Sequence, residues 1–257
     1  MSASTVHPIQ PVLPEIVSLA DHEAHASRTL DANAWAYFSG GAADEQTLRA
    51  NNQAWSRIGL LPRVLQPLAG GHTRITLLGR TLAHPILLAP VAYQRMAHPD
   101  GEAATALAAA AQQSGLVLST QSSTPMEDVA HRFKGTPGHG PLWFQLYLQP
   151  DRGLTRELVQ RAEQAGYEAL VLTVDAPVHG ARDRERRCGF RLPPGVRAVH
   201  LPQGQQAAQR ASGNGASALF GGLLQTAPTW DDVAWLHGIT HLPVLLKGIL
   251  HLSLIHI

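Results

Sequence analysis

From Pro85 onward the chain repeats one pattern, a short continuous apolar run followed by a stretch with helical spacing. The runs fall at 86–90, 116–119, 142–147, 169–174 and 243–247, and each reads as a strand buried on both faces. Between them, an alanine-rich helix begins around His98–Glu102, runs to about Ser114 and is closed by Gly115. Further helices are predicted over 125–132, 152–165 (with Gly166 past its end) and 230–237. Right-handed crossovers turn such alternation into a parallel sheet, open or curled into a barrel.

The first third is different. Residues 1–14 are rich in proline and read as a loose arm; 16–35 have helical spacing with Leu19, His22, Ala26 and Leu30 on one side. That helix is expected to run out at Tyr37, Phe38 and the Ser39-Gly40-Gly41 stretch. A second helix, AADEQTLRANNQAWSRI, is expected to be capped by Asp44 or its neighbours. Residues 74–82 read as a hairpin turning at Gly79-Arg80. Residues 195–228, rich in Gly, Ala, Gln and Ser, show little periodicity and read as a long mobile excursion. The expected division is therefore 1–84, helices and hairpin, then 85–251, a partial barrel.

The 257 residues are 44% hydrophobic and 15% charged, enough to bury a core, and the net charge of +1 gives no pull toward nucleic acid. No signal peptide or membrane-spanning run is visible, and the one cysteine, Cys188, fits a reducing compartment, so a cytoplasmic protein is expected. No G-x-G-x-x-G follows a strand, which weakens a dinucleotide-binding reading. Polar residues instead stand at the ends of successive apolar runs: Ser119, Gln145 with Tyr147, Thr173 with Asp175, and Lys247. Side chains so placed at the carboxyl ends of parallel strands build a ligand site and favour the barrel. Lys247 is one of only two lysines, against eighteen arginines, and it interrupts an apolar strand. Blander readings stay open for each: Lys247 reaching solvent from a strand end, Asp175 capping a turn, Arg182 as a solvated charge in ARDRERR, Tyr37 packing a helix end.

Several stretches, in order, resemble one family. They are YFSGGAADEQTLRANNQAW, LLAPVAYQRMAHPDGEAATALAAAA, LSTQSS, WFQLYLQPDR, RAEQAGYEALVLTVDAPVHGARDRERR and LLKGIL. Together they resemble the FMN-dependent α-hydroxy-acid oxidases and dehydrogenases, the group of glycolate oxidase, lactate oxidase and mandelate dehydrogenase. The resemblance implies an α/β fold, a (β/α)8 barrel of which the first five strands are present, with FMN at the carboxyl ends of the strands. It implies that Pro90, Val91 and Ala92 lie along the flavin ring, and that Ser119, Gln145 and Thr173 hydrogen-bond its polar edge. Lys247 is implied to stabilise the reduced, anionic flavin. Tyr37, Tyr147 and Arg182 are implied to bind the substrate carboxylate and hydroxyl, and Asp175 to orient a catalytic histidine. The substrate would be a small 2-hydroxy acid, the electron acceptor oxygen, a quinone or a cytochrome, the full-length assembly a homo-oligomer (a tetramer), with no metal.

Two departures matter. Gln121 stands where glycolate oxidases often carry an aromatic, which points to a larger or more polar substrate pocket. No Ser-Asn-His-Gly-Gly-Arg-like segment, which would hold the catalytic histidine, occurs among the 257 residues, and His98, His179, His237, His241, His251 and His256 lie in the wrong contexts. The tail 252–257, LSLIHI, does not resemble the family's continuation; it matches a translation of CTGTCTCTTATACACATC, a transposon end, and is expected to be non-native. A C-terminally truncated enzyme is expected, with two edge strands left unpaired, prone to aggregate or fold poorly and without turnover. The alternatives are a non-catalytic flavin- or partner-binding fragment and a different FMN barrel enzyme.

Overall fold

The structure, a computed structural model, describes residues 12–176, 180–202, 227–251 and 253. The elements in chain order are α1 (Leu19–Thr29), α2 (Ala32–Ser39), α3 (Gln46–Ser56), β1 (Ile75–Leu77), β2 (Arg80–Leu82) and β3 (Leu87–Leu88). After them come α4 (Gly101–Ala111), β4 (Gly115–Ser119), α5 (Met126–Lys134), β5 (Leu142–Leu146) and α6 (Arg152–Ala165). The last are β6 (Ala169–Thr173), α7 (Asp183–Cys188), α8 (Trp230–His237) and β7 (Val244–Lys247). They form two compact units, one from the described residues of Arg74–His179 and Pro194–Ile257, the other from those of Gln10–Thr73 and Gly180–Pro193. The division differs from the one the sequence implies: the hairpin goes with the sheet, and 180–193 join the N-terminal helices.

In the larger unit, five strands lie in the order β3-β4-β5-β6-β7, every neighbouring pair parallel. This is the predicted strand set, although β3 pairs over only two residues of the expected 86–90. Every residue of β4, β5 and β6 is buried. Alternation still sorts them. Leu118, Phe144, Leu146, Leu170 and Leu172, all essentially inaccessible, stand on one face. On the other, Val117, Trp143, Ala169 and Val171 form a cluster that Leu77, Leu87 and Leu245 complete. Each such side chain taken out of water contributes about 2 kcal/mol. Leu77 comes from the hairpin, whose turn residues Leu78 and Gly79 both have positive φ (48° and 77°), as a tight two-residue turn demands.

Helix α6 matches its predicted bounds; Asp151 caps it by accepting from the Gly153 amide, and Gly166 closes it at φ 76°. Other boundaries moved. The predicted helix 16–35 is two helices, because Asp31 adopts an extended conformation and caps α2 through the Ala34 amide. Helix α3 starts two residues after Asp44, behind Glu45 at φ 57°. Gly115 opens β4 instead of closing α4; the chain turns earlier, at Gln113 (φ 55°). Helix α7 was not anticipated. Most of the arm, most of the 195–228 excursion and most of LSLIHI lie outside the described residues.

Candidate functional site

Four strand ends meet as two registered pairs, Ser119 with Gln145 and Thr173 with Lys247; Gln145 itself stands opposite Val171, two residues before Thr173 on the same face. The side chains extend the backbone order. Ser119 Oγ donates to Gln145 Oε1 (3.3 Å), and Gln145 Nε2 donates to Thr173 Oγ1 (3.0 Å). Gln145 Oε1 also accepts from the Thr120 amide at 3.2 Å. Thr120 fastens the next strand too: its hydroxyl donates to the Gln145 carbonyl (2.6 Å) and accepts from the Tyr147 amide (3.2 Å). Ser119, Gln145 and Thr173 are all buried, Gln145 only 1% exposed, so this neutral row is held rigidly.

Beyond the row stand two opposite charges. Lys247 Nζ lies 3.6 Å from Asp175 Oδ1, both side chains about two-fifths exposed. Burial, and then the Asp175 charge, push the half-buried Tyr147 phenol above its usual range, so it stays protonated and able to donate. The Pro90–Ala92 segment leads to Tyr93, whose amide donates to the Gln121 carbonyl at 3.1 Å; Val91 is 41% exposed.

In the smaller unit Tyr37 and Arg182 come together across 145 residues of sequence. Arg182 Nη2 donates to the Tyr37 carbonyl (2.7 Å), its guanidinium lies 5.9 Å from the Tyr37 ring centre, and its Nε is 3.1 Å from Glu185 Oε1. The Tyr37 ring stacks on Phe190. Arg182 is thus an oriented side chain just before α7, not a freely solvated charge. The next arginine in the series, Arg184, holds Glu45 bidentately and, with the Gly41 amide, lowers that carboxyl's pKa.

Two residues escaped the sequence reading. Gly248 has φ 111°, and a Cβ there would sit 2.4 Å from the Asp175 Cβ, so only glycine lets Asp175 lie against β7. His200, 4% exposed, accepts from the Met126 amide at Nε2 (2.9 Å) and therefore carries its proton on Nδ1, which donates to the Thr120 carbonyl (3.1 Å). Burial pushes its pKa down to about 4; Arg161 acts in the same direction, and the Thr120 carbonyl, Glu127 and Glu102 oppose it. A lowered histidine pKa contributes stability that is whole above the unfolded value near 6.5 and is lost as pH falls toward 4. The expected loss over that window is roughly 3 kcal/mol. Urea unfolding at pH 7 and pH 4 checks it: wild type should lose that much more stability than His200→Asn, and equal losses would contradict the assignment.

A row of neutral donors and acceptors flanked by one ammonium thus stands at the carboxyl ends of parallel strands, the end at which such sheets hold ligands. Residues 26–254 match the family model described as FMN-dependent dehydrogenase, and the chain belongs to that family. It is 48% identical over 234 residues to an L-lactate oxidase of Roseobacter sp. (strain GAI101), covering 91% of this chain and 62% of that protein. Glycolate oxidase 1 of Zea mays is 39% identical over 239 residues, covering 92% and 63%. A crystal structure of mandelate oxidase with (S)-4-hydroxymandelic acid superposes with a TM-score of 0.79 at 39% identity, covering 92% of this chain and 65% of that one. The chain thus spans under two thirds of the length of these relatives, and its five parallel strands are part of their (β/α)8 barrel.

Proposed function

We propose that this chain supplies the flavin-facing wall and part of the acid-binding group of an enzyme that oxidises small 2-hydroxy acids to 2-oxo acids. The hydrogen-bonded row Ser119–Gln145–Thr173, ending at the residue that pairs with Lys247, carries the reading. Its hydroxyls and carboxamide suit the mixed donors and acceptors of a neutral ring edge, and the 41%-exposed Val91 leaves a surface for the ring's face. When bound, FMN supplies the acceptor for the electron pair that leaves the substrate's hydroxyl-bearing carbon. Lys247 contributes a fixed positive charge beside the site, and Tyr147, protonated, donates to the acid's oxygens. The family resemblance assigns Tyr37 and Arg182, on the smaller unit, to the carboxylate; within that unit the hold of Glu185 and the Tyr37 carbonyl on Arg182 keeps its fork oriented. By the same resemblance Asp175 orients a histidine base, and none of the histidines of this sequence is assigned that role. The oxidase relatives support oxygen as electron acceptor over a quinone or cytochrome, and the lactate oxidases among them support a short acid. A homo-oligomer in a reducing, cytoplasmic setting belongs to the same reading. No described helix is long and apolar enough to cross a membrane.

The test is flavin retention. Against the poor folding expected from its two unpaired edge strands, the sheet buries every residue of β4, β5 and β6, so the chain refolded with FMN and gel-filtered should elute yellow, release FMN on acid treatment, and show no turnover of lactate, glycolate or mandelate. Lys247→Met should weaken FMN binding about tenfold, the scale of one lost charge-assisted contact. Its stability should barely change, because a half-exposed ion pair contributes at most about 1 kcal/mol. Colourless protein in every fraction would remove the flavin reading, and an unchanged dissociation constant for Lys247→Met would remove the role of Lys247.

A further inference from the structure

His200 lies outside every stretch that carries the family resemblance, yet its ring joins two elements of the site wall. It comes from the segment 198–201, where Ala198 and Leu201 are buried and the Val199 amide donates to the Ser122 carbonyl (3.0 Å). That segment lies against the loop from Thr120 to Pro125. The imidazole meets Phe144 edge to face, with centroids 5.8 Å apart, on the sheet face opposite to Gln145. The Thr120–Gln121 peptide links the two faces. Its carbonyl accepts from His200 Nδ1, while its amide donates to Ser119 Oγ, which in turn donates to Gln145 Oε1.

We propose that His200 is a positioning residue of the flavin site, acting through the Thr120–Gln121 peptide and the Ser119 hydroxyl on the Gln145 carboxamide. Every polar atom of Thr120 has a partner. Of the Thr120 polar atoms, the amide serves Gln145 Oε1, the hydroxyl serves Gln145 O and the Tyr147 amide, and the carbonyl has His200. The Thr120 carbonyl shares its peptide plane with the Gln121 amide, which donates to Ser119 Oγ at 3.1 Å; freeing the carbonyl lets that plane rotate and draws the Gln121 amide off Ser119 Oγ, the hydroxyl that donates to the Gln145 carboxamide. The Nε2 contact does something else: it satisfies the first-turn amide of α5, at Met126, which every helix must satisfy by some means. A neutral ring is needed for both contacts, because a second ring proton would face the Met126 amide. Burial, with the pKa held at about 4, keeps it neutral at physiological pH. Arg161, Glu127 and Glu102 are the charged groups that bear on the ring, and the buried Tyr167 hydroxyl donates to the Met126 carbonyl beside it.

The two ring nitrogens give a separable test. His200→Asn keeps an N–H near the Nδ1 position and drops the Met126 contact; His200→Gln keeps an acceptor near Nε2 and drops the Thr120 contact. The inference rests on the flavin reading above for its functional meaning, so the first readout needs no flavin. In 15N spectra of the apo chain, His200 should report an Nδ1–H tautomer, and the Gln145 side-chain amide signals should move in His200→Gln and stay in His200→Asn. In the flavin-loaded chain, His200→Gln should weaken FMN binding about tenfold, the loss of one hydrogen bond, with His200→Asn within about threefold of wild type. A merely structural histidine predicts no such split. Unmoved Gln145 signals in His200→Gln, equal movement in both variants, or an Nε2–H tautomer would overturn the proposal. Failure of the wild type to hold FMN would instead sink the flavin reading and leave the spectral result to decide the Thr120–Gln145 coupling.

Discussion

Gln145→Leu is expected to destabilise the sheet unit by roughly 2–4 kcal/mol and to abolish FMN retention. The two side chains are similar in size, so a cavity is not the cause. What is lost is the carboxamide's three partners: the Ser119 hydroxyl, the Thr120 amide and the Thr173 hydroxyl. The hydroxyls can turn elsewhere, and Ser119 Oγ still accepts from the Gln121 amide. The Thr120 amide cannot turn, because the hydroxyl of the same residue is fixed between Gln145 O and Tyr147 N. A buried donor left without an acceptor costs about 1–3 kcal/mol on its own, and the remainder comes from the slackened row. Urea unfolding at pH 7 with gel filtration in FMN reads both effects. A midpoint unchanged from wild type, or a yellow eluate, would show that the row does not organise the site.

The same row explains why so much of the fold was legible in the sequence. Strands buried on both faces must be apolar throughout, so β4, β5 and β6 announce themselves as LVLS, LWFQLY and ALVLTV, and a polar residue closing each run has to have a reason. Ser119, Gln145 and Thr173 were visible for that cause; the register sets Ser119 beside Gln145, and the carboxamide reaches two residues along β6 to Thr173. Helix α6 was legible to the residue because Asp151 and Gly166 mark both ends. The misses share a different physics. Nothing apolar or glycine-rich marks the break at Leu30-Asp31; it follows from Asp31 preferring to cap α2 over extending α1. Helix α7 has no apolar face to read, since DRERRC forms it with an Asp183–Arg186 pair on the surface and Arg182 turned back to Tyr37. His200 could not be seen because its neighbours in sequence are not its neighbours in space: Thr120 is 80 residues away and Met126 is 74. A lone histidine in a proline- and glycine-rich stretch carries no periodicity that foretells burial.

Gly248→Ala is expected to cost roughly 3 kcal/mol and to separate Lys247 from Asp175, for two reasons that add. The backbone at φ 111° lies where an L side chain is strained by about 1–3 kcal/mol. The new methyl would also stand 2.4 Å from the Asp175 Cβ and 2.5 Å from its Cγ. A rotating side chain relieves contact with a carboxylate, but a Cβ moves only with its backbone. Here the backbone is held, since the Val174 amide donates to the Lys247 carbonyl at 2.9 Å in the last rung of the β6–β7 pair. Either that rung opens or Gly248 swings away, and both carry Asp175 from Lys247 Nζ. The half-exposed ion pair itself contributes little stability, so the loss belongs to the backbone and should persist in 1 M salt, where a surface pair is screened. With the Asp175 charge withdrawn, one of the two causes raising the Tyr147 phenol weakens, and its ionisation, followed by ultraviolet absorbance against pH, should shift downward toward its ordinary value. An alanine variant with wild-type urea midpoint and an unshifted Tyr147 titration would mean that glycine at this position serves neither Asp175 nor the strand pair.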